Sequence, residues 1–111
     1  MDWVDCALPQ DTAESIFAIP NGGHRDIRTA VRLKREGVKA GVSDIFVAVP
    51  RGDYHGMFIE IKTEKGRLSP AQTAFLARQA RLGYSAVVAH GVREAIDAIA
   101  GYLGVPMYWA T

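Results

Sequence analysis

The sequence predicts an α/β fold, a mixed sheet flanked by helices, on three observations. Short β-rich runs, "SIFAIP", "SDIFVAVP", "YHGMFIEIKT" and "YSAVVAH", are interleaved with segments of helical periodicity. Gly, Pro or Asn marks the boundaries between them. The two middle runs are joined by a turn-like "RGDY", so one strand pair is an antiparallel hairpin. At 111 residues, 49% hydrophobic and 23% charged, the chain supports one core and not two. Residues 1–111 are therefore read as one domain, with a short N-terminal segment, 1–14, and an apolar C-terminal tail, 104–111.

Each element has its own justification. Residues 15–20 form a strand stopped by Pro20, Asn21, Gly22 and Gly23. Residues 24–37 have a helical pattern, with Ile27, Ala30 and Val31 on one side and Gly37 at the C-terminal stop. At about 100° per residue, Arg25, Arg28, Arg32 and Arg35 fall within one narrow arc opposite that stripe. Residues 43–50 and 54–63 form the hairpin. The segment 69–83 is a helix with Ser69 as N-cap, Pro70 at the first helical position and Gly83 past its end. Residues 84–90 form a further apolar strand. A last amphipathic helix, 92–103, aligns Val92, Ala95, Ile96, Ile99 and Leu103 against the sheet.

The net charge of +1 conceals an asymmetry. Residues 1–14 carry Asp2, Asp5, Asp11 and Glu14 and no base, leaving thirteen Lys and Arg against eight acids in the remainder, a balance of +5. A basic body suits a polyanionic partner. No run approaches the roughly 18 apolar residues of a membrane span, and "MDWVDCALPQ" lacks the basic start and apolar core of a signal peptide, so a soluble, cytoplasmic protein with no membrane partner is expected. The lone Cys6 forms no internal disulfide and no zinc signature; a buried apolar role is expected.

Within the apolar hairpin, "GVSDIFVAVPRGDYHGMFIEIK" places Asp44, Glu60 and Lys62 where a buried strand favours Val or Ile. A turn centred near Gly52 and Asp53 pairs residues whose numbers sum to about 104 to 106, so Asp44 lies across from Glu60 or its neighbour. Glu60 and Lys62 share one face, while Ile59 and Ile61 point the other way. Two facing carboxylates repel unless a cation lies between them, and burial makes that costlier. Mg²⁺ or Mn²⁺, with oxygen ligands and retained waters, is the natural remedy. Lys62 would then orient or help deprotonate an attacking water, or stabilise charge on a phosphoryl group. An ordinary strand offers a second account: Asp44 caps the strand entry, and Glu60 and Lys62 alternate on a solvated face.

Asp44 followed by Glu60-Ile61-Lys62 resembles the PD-(D/E)XK nuclease signature. More specifically, "NGG", "LKREGVKAGVSDIFVA", "FIEIKTEKGRLSPAQ" and "LGYSAVVAHG" resemble the virus-type replication-repair nuclease (VRR-NUC) domain, from about Phe17 to Leu103. The resemblance implies a restriction-endonuclease-like core and a metal-dependent endodeoxyribonuclease. Asp44 and Glu60 would hold Mg²⁺ or Mn²⁺ with the backbone carbonyl of Ile61, Lys62 would serve catalysis, and Gln72 would be the family's helix glutamine. Gln72 is also the third helical position after Ser69, so "SPAQ" reads equally as a capping box. Relatives of this type begin with a longer helix that supplies a glutamate near the metals. Here Glu14 is the glutamate available for that role.

Several residues are read as secondary DNA contacts: Arg25, Arg28, Arg32 and Arg35 on the helix, Lys65 and Arg67 after the hairpin, and Asn21 and His24 in the turn. His55 reads as a hydrogen-bonding surface residue, and His90 is placed at a helix start. Tyr102, Val105, Met107, Tyr108 and Trp109 exceed what a helix end needs to cover, which points to a C2 homodimer, or to a tail folded back on its own core. Stand-alone members of the family resemble homodimeric resolvases, so four-way junction DNA is the expected partner, in a bacterial cell or phage-infected host, with no small-molecule cofactor. Two other readings are kept: a restriction-like or nicking nuclease on linear or flap DNA, and a DNA-binding module without catalysis.

Overall fold

The computed structural model describes residues 1–20, 28, 31, 32, 35–37 and 39–105. Its centre is a four-stranded mixed sheet in sequence order, β1 (Ile16–Ala18), β2 (Ile45–Val47), β3 (Met57–Lys62) and β4 (Ser85–His90). The first three strands run antiparallel, and β4 lies parallel to β3. The expected hairpin forms around Gly52 and Asp53, where Arg51 and Tyr54 exchange backbone hydrogen bonds of 3.0 and 2.9 Å and Gly52 has φ +56°. Positive φ at the first turn residue matches the twist of the strands and favours glycine there.

Residue alternation divides the sheet into two faces. Ile45, Val47, Met57, Ile59 and Ala89 face a core closed by Val4, Leu8, Ala13, Ala95, Ile99 and Leu103. Apart from Leu8, which caps the C-terminus of the first helix, these come from helices α1 (Asp2–Ala7), α2 (Gln10–Glu14) and α4 (Val92–Leu103). The opposite face carries Phe46, Phe58 and Tyr84, with Phe75 of helix α3 (Pro70–Arg81) packed edge-on to Phe58 at 5.1 Å. Such aromatic contacts add to their area burial.

The punctuation of α3 acts as the sequence predicts. Ser69 and Gln72 form a reciprocal capping box, with Pro70 at the first turn, and Gly83 has φ +99° just past the end. The short N-terminal segment forms two helices separated at Pro9. Cys6 is exposed on α1 and not buried, because α1 turns Val4 inward and leaves Cys6 on its outer side. Val92, the first residue of α4, is likewise 69% exposed, whereas Ala95 one turn on is buried. Of the predicted helix 24–37, Arg28, Val31, Arg32 and Arg35 are helical and exposed, Val31 included; Asn21, His24, Arg25, Ile27 and Ala30 lie outside the described residues. Among the described residues no helix is long and apolar enough to cross a membrane.

Candidate active site

The register of the hairpin decides the geometry. Ile45 pairs with Ile59, Phe46 with Phe58 and Val47 with Met57, so the next step outward sets Asp44 directly across from Glu60. Asp44 still belongs to the ladder through its main chain: its carbonyl accepts from Ile19 at 2.7 Å, and its N–H donates to Ile59 at 3.1 Å. Its side chain continues the ladder one residue further. By register Ile61 would pair with Ser43, yet the Ile61 N–H donates to the Asp44 carboxylate at 2.8 Å. In an extended strand a residue's N–H and C=O share an edge, so the Ile61 carbonyl faces the Asp44 side as well.

The same face carries Phe58, Glu60 and Lys62. Glu60 is 2% exposed, which removes the solvated-face account of the charges. Its carboxyl is raised from the ordinary carboxylate value to about 7, chiefly by burial, then by a hydrogen bond to Asp44 and by the Asp44 charge, with Lys62 drawing it back down. Burial and the neighbouring Asp44 therefore both favour the protonated form of Glu60. One oxygen, Glu60 Oε1, is buried with no hydrogen-bond partner. A buried orphan oxygen beside a second carboxylate is a mismatch that a hard cation with oxygen ligands removes, so the donor set fits Mg²⁺ or Mn²⁺.

Glycine chemistry brings the helix to this corner. Gly41 has φ +80°, and a Cβ there would sit 2.5 Å from the Ala71 carbonyl oxygen. Only glycine lets the loop entering Asp44 lie this close to the first turn of α3, which is the physical reason for a glycine three residues before Asp44. Gln72 sits in that turn, half-buried; its Oε1 accepts from the Ser69 N–H at 2.9 Å, and Ser69 Oγ accepts from the Gln72 N–H at 3.1 Å. The cap thus uses the amide oxygen and leaves the amide nitrogen as the group Gln72 offers to a ligand.

Other expectations are displaced. Glu14 is exposed and accepts from Gln10 at 3.1 Å. Because β1 and β2 are antiparallel with Ile16 opposite Val47, Glu14 lies beyond the end of β2 remote from Asp44. Among the described residues no group of three or more His, Cys, Asp or Glu is assembled. A groove of ≈ 530 Å³ is lined by Asp2 and Trp3 of α1 together with Asp44, Ile61 and Ile96. Nothing in the sequence distinguishes Asp2 from its helix neighbour Asp5. Lys65 and Arg67 are exposed just beyond β3, as are Arg28, Arg32 and Arg35. At the far end, Tyr102 donates to the Val49 carbonyl at 2.6 Å and packs with Val105 onto the chain's own core, while Met107, Tyr108 and Trp109 lie outside the described residues.

The paired carboxylates, the neighbouring lysine and the glycine-held helix are joined by direct comparison. The VRR-NUC domain profile matches residues 3–93. The chain belongs to the VRR-NUC family. A solved structure of a VRR-NUC domain protein superimposes with a TM-score of 0.81 at 33% identity, covering 94% of this chain and 81% of that one. No curated protein matches the chain. A VRR-NUC domain is a nuclease domain of the PD-(D/E)XK type.

Proposed function

We propose that this VRR-NUC chain, read as one nuclease domain, is a divalent-metal-dependent endodeoxyribonuclease whose centre is Asp44, Glu60 and Lys62. The observation that carries the reading is the buried, unpartnered Glu60 Oε1 beside the Asp44 carboxylate. Asp44, Glu60 and the Ile61 carbonyl would hold Mg²⁺ or Mn²⁺. When bound, the metal supplies Lewis-acid polarisation of the phosphodiester and a water of lowered pKa.

The protein's own groups supply the rest. Lys62, two residues beyond Glu60 on the same face, offers an ammonium to the charge that develops on the phosphoryl oxygens. Gln72 Nε2 and the first turn of α3 offer donors to the phosphate. Holding the strand against these groups substitutes for chance encounter with water. Hydrolysis then adds water across one P–O bond of the backbone. Arg28, Arg32, Arg35, Lys65 and Arg67, all exposed, would hold flanking phosphates.

Branched DNA is the favoured substrate. Exposed Arg and Lys side chains engage phosphates without reading base sequence, so the shape of the DNA is the favoured determinant. A homodimer places two centres about a two-fold axis, which suits a four-way junction. The test is cleavage of end-labelled four-way junction, 5′ flap and linear duplex of matched sequence. Paired symmetrical cuts confined to the junction support a dimeric resolvase; equal cutting of the duplex makes it a general nuclease and rejects junction specificity.

A further inference from the structure

We infer that His90 is a substrate-contacting residue of the same site, donating from Nε2 to a phosphate oxygen next to the one being cut. The inference rests on the nuclease reading.

Three observations carry it. His90 is the parallel partner of Lys62 at the ends of β4 and β3, so the two side chains leave the same face of the sheet. One strand spacing across and two residue rises along separate it from Glu60, about 8 Å, with Lys62 between. His90 is exposed, so the position is open to a bound strand.

Its ring is also fixed in one orientation. Nδ1 lies 2.9 Å from the Thr63 carbonyl, which can only accept, so Nδ1 carries a proton. The same carbonyl accepts the Gly66 N–H at 3.0 Å, closing the turn after β3, where a Cβ on Gly66 would crowd Thr63 Oγ1 at 3.0 Å. The backbone N–H of His90 is held by Glu94 Oε1 at 2.9 Å. Main chain and Nδ1 are both committed to the fold, and Nε2 is the ring atom left to a ligand. With Nδ1–H tied, Nε2 bears a lone pair in the neutral ring and an N–H in the imidazolium. Opposite a phosphate anion the imidazolium is the form that pairs with it, with Nε2–H toward the oxygen. A charged ring held in place donates a short, directed hydrogen bond to phosphate.

Two substitutions separate this role from that of a structural pin. His90→Gln puts an amide N–H near the place of Nε2, and His90→Asn puts one near the place of Nδ1, where it can still bond Thr63. Single-turnover cleavage of labelled junction with Mn²⁺ is measured over a range of enzyme concentrations. Expected is a half-saturating concentration for His90→Gln within about threefold of wild type, against a rise of about tenfold or more for His90→Asn, the maximal rate being little changed. The melting temperature of His90→Asn, which keeps the Thr63 bond, should be no lower than that of His90→Gln, so weaker binding by His90→Asn is not a loss of fold. The reverse order, with Asn as wild type and Gln impaired, or no effect of either, overturns the role of Nε2. A ¹⁵N spectrum of the free protein showing the neutral ring protonated at Nε2 would overturn its premise. If the wild type cuts no DNA, the nuclease reading fails first and this inference with it.

Discussion

The Asp44 carboxylate accepts the Ile61 backbone N–H at 2.8 Å, so the residue that faces Glu60 also completes the hydrogen-bond ladder of the hairpin. Structure and chemistry at Asp44 can be separated by choice of substitution. Asp44→Ala should cost about 1–3 kcal/mol by stranding a partly buried donor, whereas Asp44→Asn keeps an oxygen acceptor and should unfold in urea within about 1 kcal/mol of wild type. Both variants should lose cleavage.

Glu60 sets a pH dependence of stability in the absence of metal. Its folded value of about 7 lies above the ordinary 4.5, so the folded state binds the extra proton between those values. Stability from this group is therefore present below pH 4.5 and is lost as pH rises through 7. The whole effect is about 3 kcal/mol at the usual conversion of shift to energy. Urea unfolding in chelator should show a weaker protein at pH 8 than at pH 5.5, and Glu60→Gln should flatten that difference. Added Mn²⁺ should raise the melting temperature more at pH 8, where Glu60 is ionised, than at pH 5.5.

Gly41→Ala tests the close approach that joins the Asp44 loop to α3. The positive φ and the 2.5 Å contact with the Ala71 carbonyl both oppose a Cβ. A loss exceeding about 2 kcal/mol is expected from chemical denaturation, with cleavage reduced in parallel. Gly52→Ala, where φ is also positive but space is open, should cost only about 1–2 kcal/mol and leave cleavage intact.

Gln72 serves both the cap and the site. Gln72→Glu keeps the oxygen that accepts from Ser69 but replaces the amide donor with a second acceptor. It should preserve stability and lower cleavage. Ser69→Ala should instead cost about 1 kcal/mol with a smaller effect on cleavage. Equal activity of Gln72→Glu and wild type would assign Gln72 to the cap alone.

Local chemistry made much of this legible in the sequence. The Gly52-Asp53 turn fixed the hairpin register to within a step, and Ser69, Pro70 and Gln72 declared the start of α3 because caps depend on adjacent residues. Features that depend on tertiary placement were hidden. Glu14 is carried to the wrong end of β2 by the antiparallel direction of β1, which its own neighbours do not encode. Helices α1 and α2, of six and five residues, are too short to show a period, so the exposure of Cys6 and the approach of Asp2 to the groove went unread. His90 read as a helix start because Gly91 and Val92 follow it. Its bond to Thr63 spans 27 residues and exists only once β3 and β4 lie side by side.

The most direct test of the account is single-turnover cleavage of end-labelled DNA by wild type and Lys62→Ala, each with Mn²⁺ and with chelator. The account predicts products only from wild type with metal, with Lys62→Ala lowered by at least about a hundredfold while still folded and binding DNA. Undiminished cleavage by Lys62→Ala, or cleavage in chelator, would contradict the assigned centre.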